Sequence, residues 1–376
     1  MELILTVTAF CIFILILMQG SSVYRSSQDL LTGRTRNYST LLIFLFGFVL
    51  TFAAAFREGF QDTGVYKGLY QQVGTDLDTA MSENFAIQDY GFNLFMVFLN
   101  HINPEPQFLI IVVSVIIFSG YMIVIAKYSR DIPFSLLLLL TLDYITANNG
   151  LRQVMAGSIF IMALPLLRDR KMIPYLLLAL LMSTLHGSAI IMIPLYFILS
   201  GKRLNWGIWV FFALVVLFFA APGLAYQVMG SLLEDSTYAE YLDMESKMGL
   251  MRFLVVLVPT LLVALYCWVT RVDTSMMDKR SPDYRHQRTI DVLINMQMVF
   301  LGFNALGMSM VYFARINLFL PCVLALLLPE LIAETFTRES ARLVKRTAIV
   351  MYLFYHAYQI YTYYQIDGFG GFELIF

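Results

Sequence analysis

The chain has 376 residues, of which 59% are hydrophobic and 14% charged, and its formal net charge is −1. Soluble domains lie nearer ~45–50% hydrophobic and ~25% charged, so this composition excludes a soluble globular protein and predicts an all-α, polytopic bundle of transmembrane helices. The sequence has no basic stripe, so the expected partner is the lipid bilayer and not nucleic acid.

Seven helices are predicted from the apolar runs of the first half. The first run follows Glu2 without the basic flank of a signal peptide, so we expect it to be retained as a membrane span. The last two helices form one stretch that we divide at His186-Gly187, because basic residues flank both of its ends. The predicted helices cover residues 3–19, 38–56, 107–126, 133–147, 152–167 and, as the divided pair, 172–200.

Five more apolar runs follow, which brings the predicted number of spans to twelve. Two polar stretches, 57–105 and 223–250, are predicted to be external segments of a single integral membrane domain over residues 1–376. Within the first, residues 90–103 are amphipathic, and we expect a helix at the membrane interface. The helices of the second half are predicted at 206–221, 252–270, 290–311, 316–333 and 347–364.

The basic residues are distributed unevenly between the loops. All but six of the 25 Lys and Arg residues fall in alternate loops, which the positive-inside rule places in the cytoplasm. Both termini are therefore predicted to be external. The six basic residues on the opposite side are Arg57, Lys67, Arg152, Lys247, Arg252 and Arg315.

Three of these, Arg57, Arg152 and Arg315, stand at helix ends or at turns between helices. A charged side chain near bilayer depth costs ~2.5 kcal/mol or more, so it is expected to face a cavity or a partner. A guanidinium group binds phosphate oxygens through two parallel hydrogen bonds, which favours a diphosphate as the ligand. Two alternatives stay open: each arginine extends to the headgroups, or each pairs with a neighbouring carboxylate.

Several short segments, in order, resemble the EpsG family of Wzy-type bacterial polysaccharide polymerases. The sharpest is Asn149-Gly150-Leu151-Arg152-Gln153 with Ala156, which matches the pattern N-x-x-R-Q-x-x-A. Asp89 stands where the family more commonly has glutamate. The other segments are Phe56-Arg57 with Asp62-Thr63 and Tyr66, Asp89-Tyr90-Gly91-Phe92, Leu185-His186-Gly187-Ser188-Ala189 with Pro194, and Arg315-Ile316.

The resemblance implies a GT-C-like membrane glycosyltransferase of the bacterial cytoplasmic membrane. Such enzymes join oligosaccharide repeat units carried on undecaprenyl diphosphate at the outer face, and make O-antigen, capsule or exopolysaccharide. The growing glycan passes from its lipid diphosphate to a sugar hydroxyl of the incoming unit. A chain-length regulator is a possible partner. No cofactor is expected, and no metal, because no cluster of His, Cys and carboxylates has ligand spacing.

The candidate residues follow from the charges that this reaction develops. Fixed cations are expected where charge grows on the departing diphosphate, and a base is expected at the attacking hydroxyl. We predict His186 as the base, with Asp62 and Asp76 as rivals, while Asp143 is placed to orient Arg152. The predicted catalytic residues are His186, Arg152, Arg57 and Asp62; the predicted diphosphate and glycan ligands are Arg57, Arg152, Arg315, Arg252, Tyr66, Asn149 and Gln153.

Two other classes of function compete with polymerisation. A flippase or transporter for a lipid-linked sugar needs polar groups along its whole path, whereas charge within the spans is sparse here. Another outward-facing transferase, such as a ligase or an O-acyltransferase, is the second alternative. An acyltransferase would be expected to have its histidine on the cytoplasmic side.

Overall fold

The computed structural model describes residues 2–20, 25–29, 34–82, 85, 89–221, 249–270, 277–365 and 373–375. Within these ranges the regular structure is helical except for one antiparallel hairpin of β1 (Arg25–Asp29) and β2 (Arg34–Tyr38), which pairs Arg25 with Tyr38. The hairpin occupies the first predicted basic loop. The predicted helical class is otherwise confirmed.

The first helices agree with the apolar runs, and the polar segment after them contains more structure than expected. Residues 57–105 contain three helices, of which only the amphipathic one was predicted. The helices up to residue 128 are α1 (Glu2–Gly20), α2 (Thr40–Ala55), α3 (Thr63–Val73), α4 (Leu77–Met81), α5 (Tyr90–Ile102) and α6 (Gln107–Tyr128).

The two predicted helices around Arg152 are both interrupted. The first contains a π-helical turn, Leu139–Asp143, between α7 (Ile132–Leu138) and α8 (Tyr144–Ala147). The second divides into α9 (Leu151–Met162) and α10 (Leu164–Arg168), because Pro165 lacks the N–H that a continuous helix would use. Gly150 precedes α9 with φ +73°, a left-handed conformation that glycine adopts without steric cost.

The remaining helices confirm the predicted division at His186 and revise several boundaries. They are α11 (Met172–Leu185), a 3₁₀ turn (Gly187–Ile191), α12 (Met192–Leu199), α13 (Trp206–Ala220), α14 (Leu250–Thr270), α15 (Pro282–Gly307), α16 (Val311–Ile316), a 3₁₀ turn (Asn317–Phe319), α17 (Val323–Thr335) and α18 (Arg338–Gln365). Most of the predicted external segment 223–250 lies outside the described residues.

Two predicted boundaries in this half were wrong for identifiable reasons. Helix α15 begins eight residues early, at Pro282, because the Ser281 side chain accepts a hydrogen bond from Tyr284 N–H and caps it. The single helix predicted at 316–333 is instead a pair bent by 75°, with Val311–Phe319 on one side and Val323–Thr335 on the other. Cys322, at the break, has φ +59°.

Within the described ranges, four helices are long and apolar enough to cross a membrane: α1, α6, α14 and α15. The bent pair is a fifth if it counts as one span, and six shorter apolar segments accompany them. The protein is therefore a membrane protein with at least four clear spans.

Close helix packing brings distant segments to the turn before α9. Helix α6 packs against both α2 and α9, and α9 packs against the 317–319 turn. Small residues make this possible, because Gly120 lies against Ser158, and Gly157 lies against the Leu318 carbonyl.

The loops that were predicted to be cytoplasmic also meet one another. Arg130 Nη1 lies 3.0 Å from Glu330 Oε2 and 2.5 Å from Glu334 Oε1. Lys345 pairs with Asp131, which joins the loop after α6 to α18. These contacts place the basic loops of distant helices at a common end of the bundle.

Candidate functional site

Three segments that are distant in sequence meet at the turn of residues 148–150 and the start of α9. Arg57 Nη1 donates to Asn148 Oδ1 over 3.1 Å, and Asp62 Oδ2 accepts from Gly150 N–H over 3.0 Å. Gln153 Nε2 donates to the Arg315 carbonyl over 2.9 Å. The motifs that are far apart in sequence are thus in direct contact.

Arg57 is buried, with 1% of its surface exposed. Its Nε donates to Thr63 Oγ1 over 2.9 Å, and its Nη1 also donates to the Ala54 carbonyl over 2.5 Å. Burial lowers the pKa of the guanidinium to about 10, while the charge of Asp62 opposes this shift. Arg57 is therefore charged at neutral pH and holds the end of α2 against the turn, where the C-terminal Leu374 also pairs with it.

Asp62 caps α9 from outside the helix. Its Oδ2 accepts from the N–H groups of Gly150 and Leu151, where the positive end of the helix dipole favours a carboxylate. Burial raises its pKa, and the charge of Arg57 and these two hydrogen bonds oppose that shift. Its Oδ1 is buried without a hydrogen-bond partner in the described part of the chain.

Arg152 is held on two sides. Its Nε donates to the Tyr66 hydroxyl over 3.1 Å, and its Nη1 pairs with Asp89 Oδ2. The guanidinium also lies 5.8 Å from the ring centroids of Tyr66 and Phe92, a cation–π geometry. Burial raises the pKa of Tyr66 to about 12, so its hydroxyl stays protonated.

Asp89 links Arg152 to His186. Its Oδ1 accepts from Gly187 N–H over 2.9 Å, and its Oδ2 lies 3.5 Å from His186 Nδ1. Burial lowers the pKa of His186, and the neighbouring carboxylate of Asp89 opposes this shift. The imidazole is consequently neutral at pH 7, the form in which it can accept a proton.

A cavity of about 180 Å³ borders the same turn. Arg252, at the start of α14, and Arg315, in α16, both line it. Its remaining lining residues are Thr146, Asn149, Gly150, Val311, Ala314, Leu318 and Tyr363, so the described lining includes two arginines and no acidic residue.

The predicted residues therefore divide into two adjoining groups. Arg57, Asp62, Tyr66, Arg152 and His186 belong to a largely buried polar network. Arg252, Arg315 and Asn149 line the cavity, and Gln153 fixes the backbone of Arg315.

Two residues, Asp89 and Asn148, make contacts within the network that the sequence did not predict. Asp89, noted only as a substitution within a motif, is the carboxylate that pairs with Arg152. The role anticipated for Asp143 is not seen: Asp143 Oδ1 instead accepts from Cys322 N–H over 3.4 Å. Asn148, the neighbour of the predicted Asn149, is the residue that binds Arg57.

The rival base Asp76 lies outside the network. It caps α4, and hydrogen bonds from the Thr79 side chain and backbone lower its pKa, which makes it a weak base. Lys247, one of the six basic residues on the predicted outer side, falls outside the described residues. Among the residues with described positions, no three His, Cys, Asp or Glu side chains are grouped as metal ligands.

Similarity to known proteins places the chain at the level of a family. No curated protein and no solved structure is detectably similar to it. The sequence pattern of the EpsG family matches residues 40–372, which include every residue of the network and the cavity. The chain therefore belongs to the EpsG family.

Proposed function

We propose that the protein is a membrane glycosyltransferase that joins oligosaccharide repeat units carried on undecaprenyl diphosphate. Membership of the EpsG family suggests a polysaccharide polymerase, and the apolar helices suit a lipid-linked substrate.

The observation that carries the proposal is the shared cavity of Arg252 and Arg315. These residues belong to different helices, yet both line a space of about 180 Å³ beside the motif turn. Charge-assisted hydrogen bonds from guanidinium to phosphate are roughly twice as strong as neutral ones. A cavity with two arginines therefore favours the diphosphate of the donor, and Asn149 adds a polar contact for the same ligand.

The reaction assigns a separate task to each group. The hydroxyl oxygen of the acceptor sugar forms a bond to the anomeric carbon of the growing glycan, and the bond from that carbon to the diphosphate oxygen breaks. The electron pair leaves with the lipid diphosphate, where Arg252 and Arg315 stabilise the developing charge. The proton of the attacking hydroxyl passes to a base.

We assign the base to His186, whose lowered pKa keeps it neutral at physiological pH. Asp89 lies next to Nδ1 and orients the ring, an arrangement in which the other nitrogen accepts the proton. Arg152 acts through Asp89 as a positioning residue, and Arg57 anchors the turn. Asp62 is the alternative base, because its Oδ1 is buried without a described partner.

The proposal includes twelve crossings, with both termini and the arginine end on the outer face of the cytoplasmic membrane. Residues 373–375 lie beside Arg57, at the end of the bundle that we propose to be external. If the N-terminus is also external, the number of crossings is even. The crossings with the least support from helix length are α11 and α12. The 14 residues of α11 extend only ~21 Å, less than the ~30 Å of a hydrocarbon core. A GT-C-like architecture stays a prediction.

The test compares Arg252→Ala, Arg315→Ala and the double variant in a strain lacking the native gene. Each single variant is expected to bind a polyprenyl diphosphate about 10–100 times more weakly, because a hydrogen bond to a charged group contributes about 1.5–3 kcal/mol. The double variant should leave single repeat units on the lipid, visible as loss of long chains on a gel.

The matched control is Lys67→Ala, because Lys67 is also cationic but donates to the Glu58 carbonyl and does not line the cavity. Long chains in the normally expressed double variant would refute the assignment. Lipid-linked units trapped on the cytoplasmic face would instead indicate a flippase. Long chains that lack only an acyl group would indicate an acyltransferase.

A further inference from the structure

A second, smaller cavity of about 60 Å³ adjoins the arginine cavity, with which it shares Thr146, Arg252 and Leu318. It is lined by side chains from helices distant in sequence. They include the carboxylate of Asp143 and the amides of Gln297, Asn304, Asn317 and Gln359.

Three of these acceptors have no described hydrogen-bond partner. Gln297, Asn317 and Gln359 are 0%, 4% and 7% exposed, and their amide oxygens are buried without a partner in the described part of the chain. A buried polar atom left unsatisfied costs about 1–3 kcal/mol, so three around one space indicate a ligand.

The orientation of two of the amides is fixed by their neighbours. Gln297 Nε2 donates to Thr260 Oγ1 over 2.8 Å, and that hydroxyl itself donates to the Val256 carbonyl over 2.7 Å. Asn317 Nδ2 donates to the Phe300 carbonyl over 3.2 Å. Rotating the Asn317 amide by 180° would oppose two acceptors, and rotating that of Gln297 would require the Thr260 hydroxyl to give up its bond to the Val256 carbonyl. The arrangement that keeps all of these bonds leaves the amide oxygens, not the nitrogens, without a partner.

The Asp143 carboxylate lies where two interrupted helices meet. Asp143 ends the π-helical turn Leu139–Asp143, and its Oδ1 accepts from the backbone of Cys322 at the 75° break between α16 and α17. A carboxylate inside an apolar segment is rare and marks a functional site. Discontinuous helices are also where membrane proteins coordinate small cations.

We propose that this cavity binds a small monovalent cation, with Na⁺ as its representative, through Asp143 and the amide oxygens of Gln297, Asn317 and Gln359. Hard cations prefer carboxylate and amide oxygens, and one carboxylate balances one positive charge. Arg252 also lines the cavity, and the described hydrogen bond of the Asp143 carboxylate is the one from Cys322 N–H. The four ligands are too far apart in sequence to form a recognisable motif.

The volume argues for an ion over a larger ligand. A space of about 60 Å³ accepts a cation with one or two waters, since a single water needs ~10–15 Å³ on the same measure. The site is independent of the polymerase assignment, because its ligand is not a substrate. Its test accordingly measures ion binding without any reading of enzyme activity.

The experiment records thermal unfolding of the full chain in detergent while NaCl replaces choline chloride at constant ionic strength. The wild type should show a saturable rise in Tm of about 2–4 °C at ~100 times the dissociation constant. Asp143→Asn should abolish the rise. Gln297→Met should weaken Na⁺ binding about tenfold and still fold, because the variant removes an unsatisfied polar atom.

The matched control is Asp131→Asn, which neutralises a carboxylate at the opposite end and should keep the full Na⁺ response. Equal Tm values in the two salts would overturn the proposal and show that water alone fills the cavity. An unchanged Na⁺ response in Asp143→Asn would also overturn it. If that variant does not fold, equilibrium binding of radioactive Na⁺ to the wild type and to Gln297→Met decides.

Discussion

Arg152 and Asp89 form an ion pair between the motif turn and the polar segment before α5. The same carboxylate accepts a hydrogen bond from Gly187 N–H and lies beside His186. One acidic side chain therefore connects three of the segments that carry the family resemblance. This contact changes the role assigned to Arg152. An arginine paired in this way orients a base more readily than it binds a diphosphate.

The first prediction concerns this carboxylate. Asp89→Asn should reduce the rate of polymerisation about 100-fold, because Arg152 loses its counter-charge and His186 loses its orienting group. Asp89→Glu, which keeps the charge, should restore most of the rate. The measurement is the rate of chain extension on purified lipid-linked repeat units, with Tm recorded for each variant.

Arg152 provides the complementary half of a double-mutant cycle. Arg152→Ala should lower the rate by a similar factor, and the double variant with Asp89→Asn should be little worse than either single one, because the pair acts as a unit. Fully additive losses would contradict a shared role. Arg152→Lys should rescue only in part, since an ammonium cannot reach Tyr66 and Asp89 together.

The second prediction concerns pH. Burial lowers the pKa of His186 below its ordinary value of 6.5, so the base should remain neutral and active at pH 7 and lose activity as pH falls through the lowered pKa. Asp89 raises that pKa, so Asp89→Asn should move the acid limb to lower pH. The pH dependence of chain extension measures both effects.

A histidine elsewhere supplies the control for this profile. His101 is exposed near the end of α5, where its Nδ1 lies 2.9 Å from the Val97 carbonyl. His101→Gln should keep the wild-type acid limb, while His186→Gln should abolish most activity. If Asp89→Asn does not shift the acid limb of the pH profile, His186 is excluded as the base and Asp62 is favoured.

Sequence patterns predicted most elements of this fold but not their irregularities. Apolar runs located the helices, and basic residues located the division at His186. The π-helical turn that ends at Asp143 and the 75° bend near Pro321 are joined by the tertiary contact from Cys322 N–H to Asp143, which no local pattern encodes.

The sequence predicted most residues of the site but not the contacts between their side chains. The motif residues do converge, yet the role of Arg152 depends on its ion pair with Asp89. That carboxylate comes from a different segment, and spacing along the chain carries no information about the contact. The cavity of Arg252 and Arg315 likewise depends on the packing of α14 against the rest of the bundle.

The third prediction treats Arg57 as a structural anchor. Arg57→Lys should lower the free energy of unfolding by about 2–4 kcal/mol, because one ammonium cannot replace the bonds to Thr63, Ala54 and Asn148. Asn148→Ala should couple to it by about 0.5–3 kcal/mol in a double-mutant cycle. Thermal unfolding in detergent measures both, and Arg342→Lys, at an exposed position of α18, should have little effect. A stable Arg57→Lys variant without activity would instead return Arg57 to the catalytic residues.

The fourth prediction concerns the contact that forms one wall of the arginine cavity. A Cβ added at Gly157 would lie 2.0 Å from the Leu318 carbonyl oxygen, a backbone atom that has little room to shift. Gly157→Ala should therefore destabilise the protein by about 1–3 kcal/mol or more and displace Leu318, which lines the cavity beside Arg315. Gly68→Ala is the matched control, because Gly68 is at an exposed position of α3 with nothing within 4 Å of an added Cβ, and the substitution should stabilise the protein by about 0.5–1 kcal/mol. Equal Tm values for the two variants would show that α9 and the 317–319 turn are not in close contact, and the cavity would then lose the wall that positions Arg315.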